Sequence, residues 1–427
     1  MANSERYKVT PARFIAVWLL NGVTDERMTL AELTGKDKYL ELEPADRARA
    51  LRLATTTLRY AGRADKLLKP HLSKRPPEAI QNMLRLGVVE VLALKAPIHA
   101  LTNDLVNMAA SASRTRPLKG LINAVLRKAV ADGEGKWDKS PVPTLPKWLR
   151  QPLMAAFGNG PIMLIETAHM KGAPLDVTVK SDPEGWAEKL GGTLLPNGSV
   201  RLEGGQVTKM AGYDDGEWWV QDAAATFAAT WAGASADQTV LDLCAAPGGK
   251  TMQLATTGAA VTAVDLNKHR LERVKQNLER TNLDADVVQA DIFALPDDQY
   301  DVVLLDAPCS ATGTIRRHPD LPFAKDGTGI HELIVLQRKM LKKAASLVKP
   351  GGSIVFCTCS LIPDEGEVHI EEFLAKNKDF TVDTALPTGI DPAWVTIEGG
   401  VRLRPDYWAE HGGMDGFYLA KLNRADA

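Results

Sequence analysis

Two cysteines stand at positions in this sequence that suit covalent chemistry. Cys309 follows Asp306-Ala307-Pro308, where a buried strand is predicted to end, and Cys359 follows the next predicted strand. Because the carboxyl ends of parallel strands meet at one edge of a sheet, we expect both thiols to converge there. A thiolate at such an edge is a nucleophile able to form a covalent intermediate.

The chemistry that these residue types favour is methylation of a pyrimidine ring. Carbon 5 of a pyrimidine is too weak a nucleophile to accept a methyl group directly, but a thiolate added to carbon 6 makes the ring enamine-like. After the transfer, the proton on carbon 5 must leave before the thiolate is expelled, so a second group must act as a base. Asp306 is placed to hydrogen-bond the polar edge of the ring.

A turn of small residues after the first predicted strand could bind a cofactor. It spans 242–251, and a helix is predicted to begin near Gly249. A nucleotide P-loop would need glycine at the position of Cys244, and the dinucleotide fingerprint fails on spacing as well. Asp265 ends the second strand, where it could accept hydrogen bonds from ribose hydroxyls, and Asp291 follows the third, within reach of an adenine amino group.

Other interpretations of the four cysteines remain open. A buried cysteine is usually a small hydrophobic side chain, which is how we interpret Cys357, and Cys244 could simply line its turn. Four cysteines near one sheet edge could also bind zinc. Two of those ligands would then come from one Cys-x-Cys strand with no histidine nearby, so we favour catalysis and expect no metal.

The elements that must position these residues form a strand–helix–strand alternation from about residue 221. Such alternation with short connections predicts a doubly wound parallel sheet. The predicted strands are Thr239–Leu243, Ala260–Asp265, Ala285–Gln289, Tyr300–Asp306 and Ser353–Thr358, with helices at 268–281 and about 330–347.

The N-terminal part has a different pattern. Helical spacing of apolar residues and the absence of strand alternation predict an all-helical domain over 10–131. Glycines and prolines then indicate a linker, and Leu175–Val179 with the Asn197-Gly198 turn predicts a small α/β insert. The predicted domains are therefore 1–134, 135–220 and 221–427.

Charge is distributed unevenly along the chain although the net charge is only −2. Residues 1–130 hold 22 Lys+Arg and 12 Asp+Glu, a balance of +10, and the remainder has a balance of −12. The basic part indicates either a polyanionic partner or a solvated helical surface. No apolar run approaches about 20 residues, and the first six residues do not resemble a signal peptide, so we expect a cytoplasmic protein without a membrane partner.

Several motifs resemble those of one enzyme family, the RNA 5-methylcytosine methyltransferases. The motifs of the catalytic half are 244–251, Asp306–Ser310 and Thr358–Ser360. Residues 313–320 and 413–417 are similar to the bacterial 16S rRNA branch. Asp46-Arg47 and 123–127 resemble its NusB-like RNA-binding domain. The match is loose over 160–215, and Asp364-Glu365-Gly366 stands where the family often has an acidic pair followed by asparagine.

The resemblance implies a fold and roles for individual residues. The fold would be multidomain: an all-α NusB-like domain, a small α/β insert and an α/β Rossmann-like class I methyltransferase domain. Cys359 would be the nucleophile, and Cys309 would assist product release. The residues implied to contact S-adenosylmethionine are Cys244, Ala245, Ala246, Pro247, Gly248, Gly249, Lys250, Asp265, Asp291 and Asp306.

The implied function is transfer of a methyl group from S-adenosylmethionine to carbon 5 of a cytosine in 16S rRNA by a monomeric enzyme. A tRNA substrate is the alternative within the same chemistry, and a non-catalytic rRNA-binding assembly factor is the alternative outside it. The intact Asp306, Cys309 and Cys359 argue against the non-catalytic function. The expected RNA-binding residues are Arg114, Arg116, Lys119, Arg316, Arg317 and His318.

Overall fold

The computed structural model describes residues 9–426, which form two compact units. One unit contains the described residues up to Gly172 together with Ile315–Gly327, and the other contains Ala173–Thr314 and the chain from Thr328 onward. This division differs from the predicted boundaries at 134 and 220. The first six residues, on which the signal-peptide prediction rested, lie outside the described range.

The first unit is helical, and its described residues contain no strand, as predicted for 10–131. Its core consists of apolar side chains that recur on one face of successive helices, such as Leu84, Val88 and Leu126, all of which are fully buried. Arg13 is also buried, where it bonds Glu90 and Asp104. The helices are Pro11–Thr24, Leu30–Thr34, Asp37–Leu40, Pro44–Leu68, Glu78–Leu92, Ile98–Ser111, Lys119–Gly133, Lys147–Phe157, Asn159–Lys171 and Leu321–Ala324.

Two features correct the predicted domains. The helices Lys147–Phe157 and Asn159–Lys171 belong to the helical unit, although the sequence placed them in the linker and insert. The segment Ile315–Gly327 also belongs to this unit, although it was assigned to the catalytic domain. The Leu30 amide donates to the Asp320 carboxylate over 2.9 Å, which fastens this segment to the helical unit.

The second unit begins with the predicted α/β insert, which is a small antiparallel sheet. The strand Leu175–Val179 lies between Val200–Leu202 and Trp218–Val220, and Thr193–Leu194 pairs with the outer side of Val200–Leu202. The helix Pro183–Leu190 packs beside the sheet. Trp218 is fully buried in the core of this insert, and its strand ends at Val220, where the predicted boundary lies.

The main sheet has the predicted parallel centre. Four predicted strands match those in the structure closely, and the other, Ser353–Thr358, begins earlier, at Val348. The order across the sheet is Phe380–Val382, Phe417–Arg424, Val348–Thr358, Tyr300–Asp306, Thr239–Leu243, Ala260–Asp265 and Asp286–Gln289. The strand Phe417–Arg424 runs antiparallel to its neighbours and also pairs with Val401–Leu403, so the sheet is mixed at one side rather than wholly parallel.

Helices on both faces cover this sheet, which is why its central strands are continuous apolar runs. They are Ala223–Ala232, Gly249–Ala255, Lys268–Thr281, Ile330–Leu347 and Glu367–Lys376. The strand order reverses between Thr239–Leu243 and Tyr300–Asp306, which are parallel neighbours. In open α/β sheets, such a reversal opens a crevice at the carboxyl ends of the strands. Asp306 lies there, and so does the turn 242–251, which we name the cofactor loop.

Candidate active site

The cofactor loop leaves the strand Thr239–Leu243 and turns sharply into the helix Gly249–Ala255. Gly248 precedes this helix at φ +102°, in the left-handed region that glycine tolerates, and a Cβ there would lie 3.2 Å from the side chain of Val274. The amide of Ala245 donates to the Val264 carbonyl over 3.0 Å. The small residues of the loop therefore let its backbone atoms lie close to the crevice.

A cavity of about 510 Å³ lies at this edge of the sheet. Asp265 closes one side, where its carboxylate accepts hydrogen bonds from the amides of Ala246 (3.2 Å) and Asn267 (2.9 Å). Asp291 accepts from the Phe293 amide over 3.0 Å. The structure brings together these predicted residues in the cavity lining: Cys244, Ala246, Asp265, Asp291, Asp306, Cys309 and Cys359.

The remaining loop residues face a second cavity of about 320 Å³. Ala245, Pro247, Gly249 and Lys250 line it, and Asp306 and Ala246 border both cavities. Gly248 lines neither, because it forms the turn that starts the helix. The predicted cofactor set is thus divided between two adjoining cavities.

The two cysteines meet as the sequence predicted, since Cys309 Sγ and Cys359 Sγ are 3.4 Å apart. Gly313 holds the loop against the strand end, because its amide donates to the Cys359 carbonyl over 3.0 Å. A Cβ on Gly313 would lie 1.9 Å from the Gly416 carbonyl oxygen, so only glycine fits. The hydrogen bond with Cys359, together with burial, raises the pKa of the Cys309 thiol well above its usual value.

Asp306 lies beside the cysteine pair and has a cationic partner. The Lys250 ammonium bonds its carboxylate over 2.8 Å, and the Cys357 thiol donates to it over 3.5 Å. Burial lowers the pKa of Lys250, but Asp306, Cys357 and Asp242 together raise it by more, so that the side chain stays charged. Cys357 is fully buried and packs in the core, which agrees with the interpretation of this residue as structural.

Comparison with known proteins identifies the family. Residues 229–423 match the family of 16S rRNA methyltransferase RsmB/F, and residues 10–131 match the NusB family. Ribosomal RNA small subunit methyltransferase B of Pseudomonas syringae pv. tomato is 34% identical over 408 residues, which cover 90% of each chain. The protein of the same name from Vibrio cholerae serotype O1 is 32% identical over 90% of this chain and 91% of its own.

The chain belongs to the RsmB/F family of 16S rRNA methyltransferases.

Solved structures agree on the fold of this family member. The structure of PH0851 has a TM-score of 0.74 at 24% identity, covering 97% of this chain and 99% of its own. NSun6 from Pyrococcus horikoshii with SFG has a TM-score of 0.56 at 19% identity, covering 66% of this chain and 99% of its own. Together with the family match, these likenesses confirm the predicted fold class, with its NusB-like and Rossmann-like parts.

Glu365 is a residue of the site to which sequence reasoning gave no role. It is fully buried and accepts a hydrogen bond from the Ser310 amide over 2.9 Å and one from the Ser360 hydroxyl over 2.6 Å. These serines directly follow Cys309 and Cys359. The signal in the sequence was the acidic pair Asp364-Glu365, which the family often has at this place; the departure from the family pattern is Gly366.

The departure at Gly366 has a local explanation in this family member. A Cβ at this position would lie 2.6 Å from the ring of Tyr418 and 2.8 Å from a guanidinium nitrogen of Arg402. Tyr418 is fully buried, so its ring has little room to move. Glycine is therefore the residue that these neighbours accept, and the loop beside Glu365 keeps its position without asparagine.

The predicted RNA-binding residues fall into two groups. Arg114, Arg116 and Lys119 are exposed on the helical unit. Arg316 is fully buried within the same unit, so its side chain offers RNA no surface in this structure, contrary to expectation. Arg317 is half-buried, and His318 is exposed. Because 315–327 belongs to the helical unit, Arg317 and His318 stay predicted RNA-binding residues of that unit rather than of the catalytic domain.

Residues 9–426 were compared with two simple structural requirements, those of a metal site and of a membrane-spanning helix, and meet neither. Among these residues, no cluster of three or more His, Cys, Asp or Glu side chains is arranged to hold a metal ion. Within the same range, no helix has both the length and the apolar character needed to cross a membrane.

Proposed function

We propose that this protein transfers a methyl group from S-adenosylmethionine to carbon 5 of a cytosine in 16S rRNA, through a covalent bond between Cys359 and carbon 6. The observation that carries the proposal is the 3.4 Å separation of the Cys309 and Cys359 sulfurs in a cavity that Asp265 and Asp291 also line. A thiol pair, a half-buried Lys–Asp pair and acids placed to bind a nucleoside together suit this reaction.

The cysteines would divide the work. The Cys359 thiolate adds to carbon 6, and the electron pair that this addition places on carbon 5 forms the new carbon–carbon bond to the methyl group. The bond between the methyl group and the S-adenosylmethionine sulfur would break at the same time, with S-adenosylhomocysteine as the leaving group. A base then removes the proton from carbon 5, and the carbon–sulfur bond to Cys359 breaks as the ring double bond returns. The raised pKa of Cys309 supports this division, because a thiol that keeps its proton can donate to Cys359 but is a poor nucleophile.

Asp306 and Lys250 would orient the cytosine. The ammonium bonds the Asp306 carboxylate, and a carboxylate accepts hydrogen bonds only, which matches the amino group on the ring. The Lys250 ammonium also lies 5.5 Å from the centre of the Phe417 ring, which restricts its position. A charge pair held in this way is preorganised before the RNA arrives.

The residues at the cavity fit S-adenosylmethionine. Asp265 and Asp291 each accept backbone hydrogen bonds but retain lone pairs for ribose hydroxyls and an adenine amino group. Apolar side chains, including Ile292 and Phe293, line the space between them, as a base would require. When bound, S-adenosylmethionine supplies the electrophilic methyl group.

Asp265→Ala should weaken S-adenosylmethionine binding by ~1–3 kcal/mol, which is about 5- to 150-fold, because the ribose hydroxyls lose their acceptor. Titration calorimetry on the full chain measures this change. Asp286→Ala is the matched control, since Asp286 is exposed at the start of the neighbouring strand and does not line the cavity. Equal affinity of Asp265→Ala and the native protein would remove Asp265 from the cofactor site.

The helical unit would carry much of the affinity for RNA. The enzyme would be a monomer and would bind its RNA in the cytoplasm. A polar cavity of about 490 Å³ on this unit is lined by Lys119 and Arg127 and by the amides of Asn103, Asn107 and Asn123. Cations suit phosphates, and side-chain amides suit base edges. This combination favours RNA binding over the alternative of a merely solvated basic surface.

Replacing three cations of the helical unit, Arg114, Lys119 and Arg127, with glutamine should flatten the salt dependence of RNA binding. Each lost phosphate contact removes about 0.7–0.9 from the slope of log K against log salt, so the triple variant should lose about 2–3. The control is the same change at Lys268, Arg273 and Lys275, exposed on a helix of the other unit. An unchanged slope in the first variant would identify the basic surface as only a solvated one.

The test of the proposed function is methylation of RNA with labelled S-adenosylmethionine, followed by bisulfite sequencing. We expect label in 16S rRNA at one or a few cytosines that resist bisulfite conversion. Label in tRNA alone would overturn the substrate, label at another atom would overturn the chemistry, and binding of rRNA without label would favour the assembly-factor alternative.

A further inference from the structure

A single buried carboxyl group connects the loops that carry the two cysteines. Glu365 Oε1 accepts hydrogen bonds from the Ser310 amide (2.9 Å) and from Gln337 Nε2 (3.0 Å). Its Oε2 accepts from the hydroxyls of Ser360 (2.6 Å) and Ser310. Four donors thus converge on one side chain that has no exposed surface.

The donors around Glu365 are themselves held in place. Gln337 Nε2 also donates to the Pro308 carbonyl over 2.8 Å, and Gln337 Oε1 lies 2.8 Å from His369 Nε2. Burial lowers the pKa of His369 to about 4, so near neutral pH its ring is uncharged and can donate this bond. The network therefore reaches the residue immediately before Cys309 as well as the residue immediately after it.

The strand side of the network is equally constrained. The Thr358 hydroxyl donates to the Glu365 carbonyl over 2.8 Å, and the Ile362 amide donates to the Ser360 hydroxyl over 3.0 Å. Thr358 and Ser360 are the two neighbours of Cys359. Removing the Glu365 side chain would leave several buried donors without an acceptor, which is costly, so both cysteine loops would have to rearrange.

We propose that Glu365 is a positioning residue, which fixes Cys309 and Cys359 at their working separation and places a carboxylate charge beside Cys309. The proposal rests on the proposed roles of the two cysteines. The hydrogen bonds around Glu365 do not depend on those roles. Glu365 acts through Ser310, Ser360 and Gln337 and needs no contact with the RNA or the cofactor.

The charge of Glu365 has a consequence separate from its hydrogen bonds. After the bond with Cys359 and burial, the carboxylate is a further cause of the raised pKa of Cys309. Two charged pairs also lie near the two loops: Asp306 with Lys250, and Glu367 with Arg402, whose guanidinium also donates to the Ser360 carbonyl. Asp364, next to Glu365, is exposed. Glu365 therefore favours the protonated form of Cys309, which leaves Cys359 as the attacking sulfur.

The experiment compares Glu365→Ala with Glu365→Gln in the full chain. Glutamine removes the charge but can keep the network, because the serine hydroxyls can turn to accept from its amide nitrogen. Alanine removes both. The control is Glu372→Gln, an exposed carboxylate of the helix Glu367–Lys376 that pairs with Arg338.

Two measurements are made on each variant. The first is kcat for methyl transfer, with S-adenosylmethionine affinity measured separately. The second is the pH dependence of Cys309 alkylation by iodoacetamide without RNA, followed by peptide mass spectrometry. We expect Glu365→Ala to lower kcat at least 100-fold with cofactor affinity unchanged within about threefold. Glutamine should recover at least a tenth of the native kcat and shift the Cys309 alkylation midpoint to lower pH.

Opposite results would overturn the proposal. These are a native kcat in folded Glu365→Ala, no recovery by glutamine, or an unchanged alkylation midpoint in Glu365→Gln. If Glu365→Ala does not fold, the variant Ser310→Ala is measured instead. It removes one hydroxyl donor to Glu365, and we expect its kcat to be at least fivefold below the native value. The alkylation profile needs no RNA, so failure of the proposed methylation reaction would leave it interpretable.

Discussion

Cys359→Ala should abolish methyl transfer, and Cys309→Ala should trap the protein on its RNA. Without the Cys359 thiolate, no bond to carbon 6 can form. Without Cys309, attack and methyl transfer still proceed but the methylated adduct is not resolved, so a covalent protein–RNA species accumulates. Denaturing gel electrophoresis with labelled S-adenosylmethionine detects this species, which should carry the labelled methyl group and depend on the cofactor.

The two variants also separate catalysis from the other interpretations of the cysteines. Both should fold, because Cys→Ala at the edge of a cavity removes little buried volume. Zinc ligands would be lost equivalently, with metal release in both variants. Structural cysteines would give two active, slightly destabilised proteins. An adduct with Cys359→Ala and none with Cys309→Ala would reverse the proposed roles while keeping the reaction.

Asp306→Ala should lower kcat/KM for RNA by about 10²- to 10³-fold. It removes the acceptor proposed for the cytosine amino group and leaves the Lys250 ammonium buried without a carboxylate, and the loss of one preorganised electrostatic contact typically has an effect of this size. Steady-state kinetics with saturating S-adenosylmethionine measure the change, and calorimetry shows separately how far cofactor binding is affected.

The control for Asp306 lies on the same strand. Asp301, at the opposite end of Tyr300–Asp306, also pairs with a lysine, Lys349, at 2.9 Å. Hydrogen bonds from the Thr239 amide and from Lys349 lower the pKa of Asp301 to about 2. Asp301→Ala should therefore reduce the free energy of unfolding but keep the native kcat/KM. Similar catalytic losses in both variants would show that Asp306 matters only for stability.

Local patterns predicted much of the catalytic unit. The helix Lys268–Thr281 matches its predicted bounds, and so do the strands Thr239–Leu243 and Tyr300–Asp306. Parallel strands must bring their carboxyl ends to one edge, so Asp265, Asp306 and the cysteines could be grouped without coordinates. The antiparallel strand Phe417–Arg424 was missed as a sheet member because its partners are distant in the chain.

What local patterns could not predict depends on contacts between distant residues. The prolines at 141–146 indicated a linker, although the helix Lys147–Phe157 follows directly and belongs to the helical unit. Its buried Leu149 and Leu153 are one turn apart, and a spacing of this kind does not show against which unit a helix packs. Arg316 was expected to bind RNA because it is cationic and near Cys309, yet it is fully buried. Glu365 was given no role, since two of the residues that donate to it, Ser310 and Gln337, are distant in the chain.

The assignment of Ile315–Gly327 to the helical unit has a consequence for protein synthesis. The ribosome completes the part of this unit that ends at Gly172 long before it reaches Ile315. At about 5–20 residues per second, the interval lasts roughly 8–30 s. During that time the Leu30 amide has no Asp320 to bind, and Phe323 is not yet made to cover its part of the helical core. The helical unit, whose residues are the first to be synthesised, is therefore complete only after the ribosome has passed Gly327.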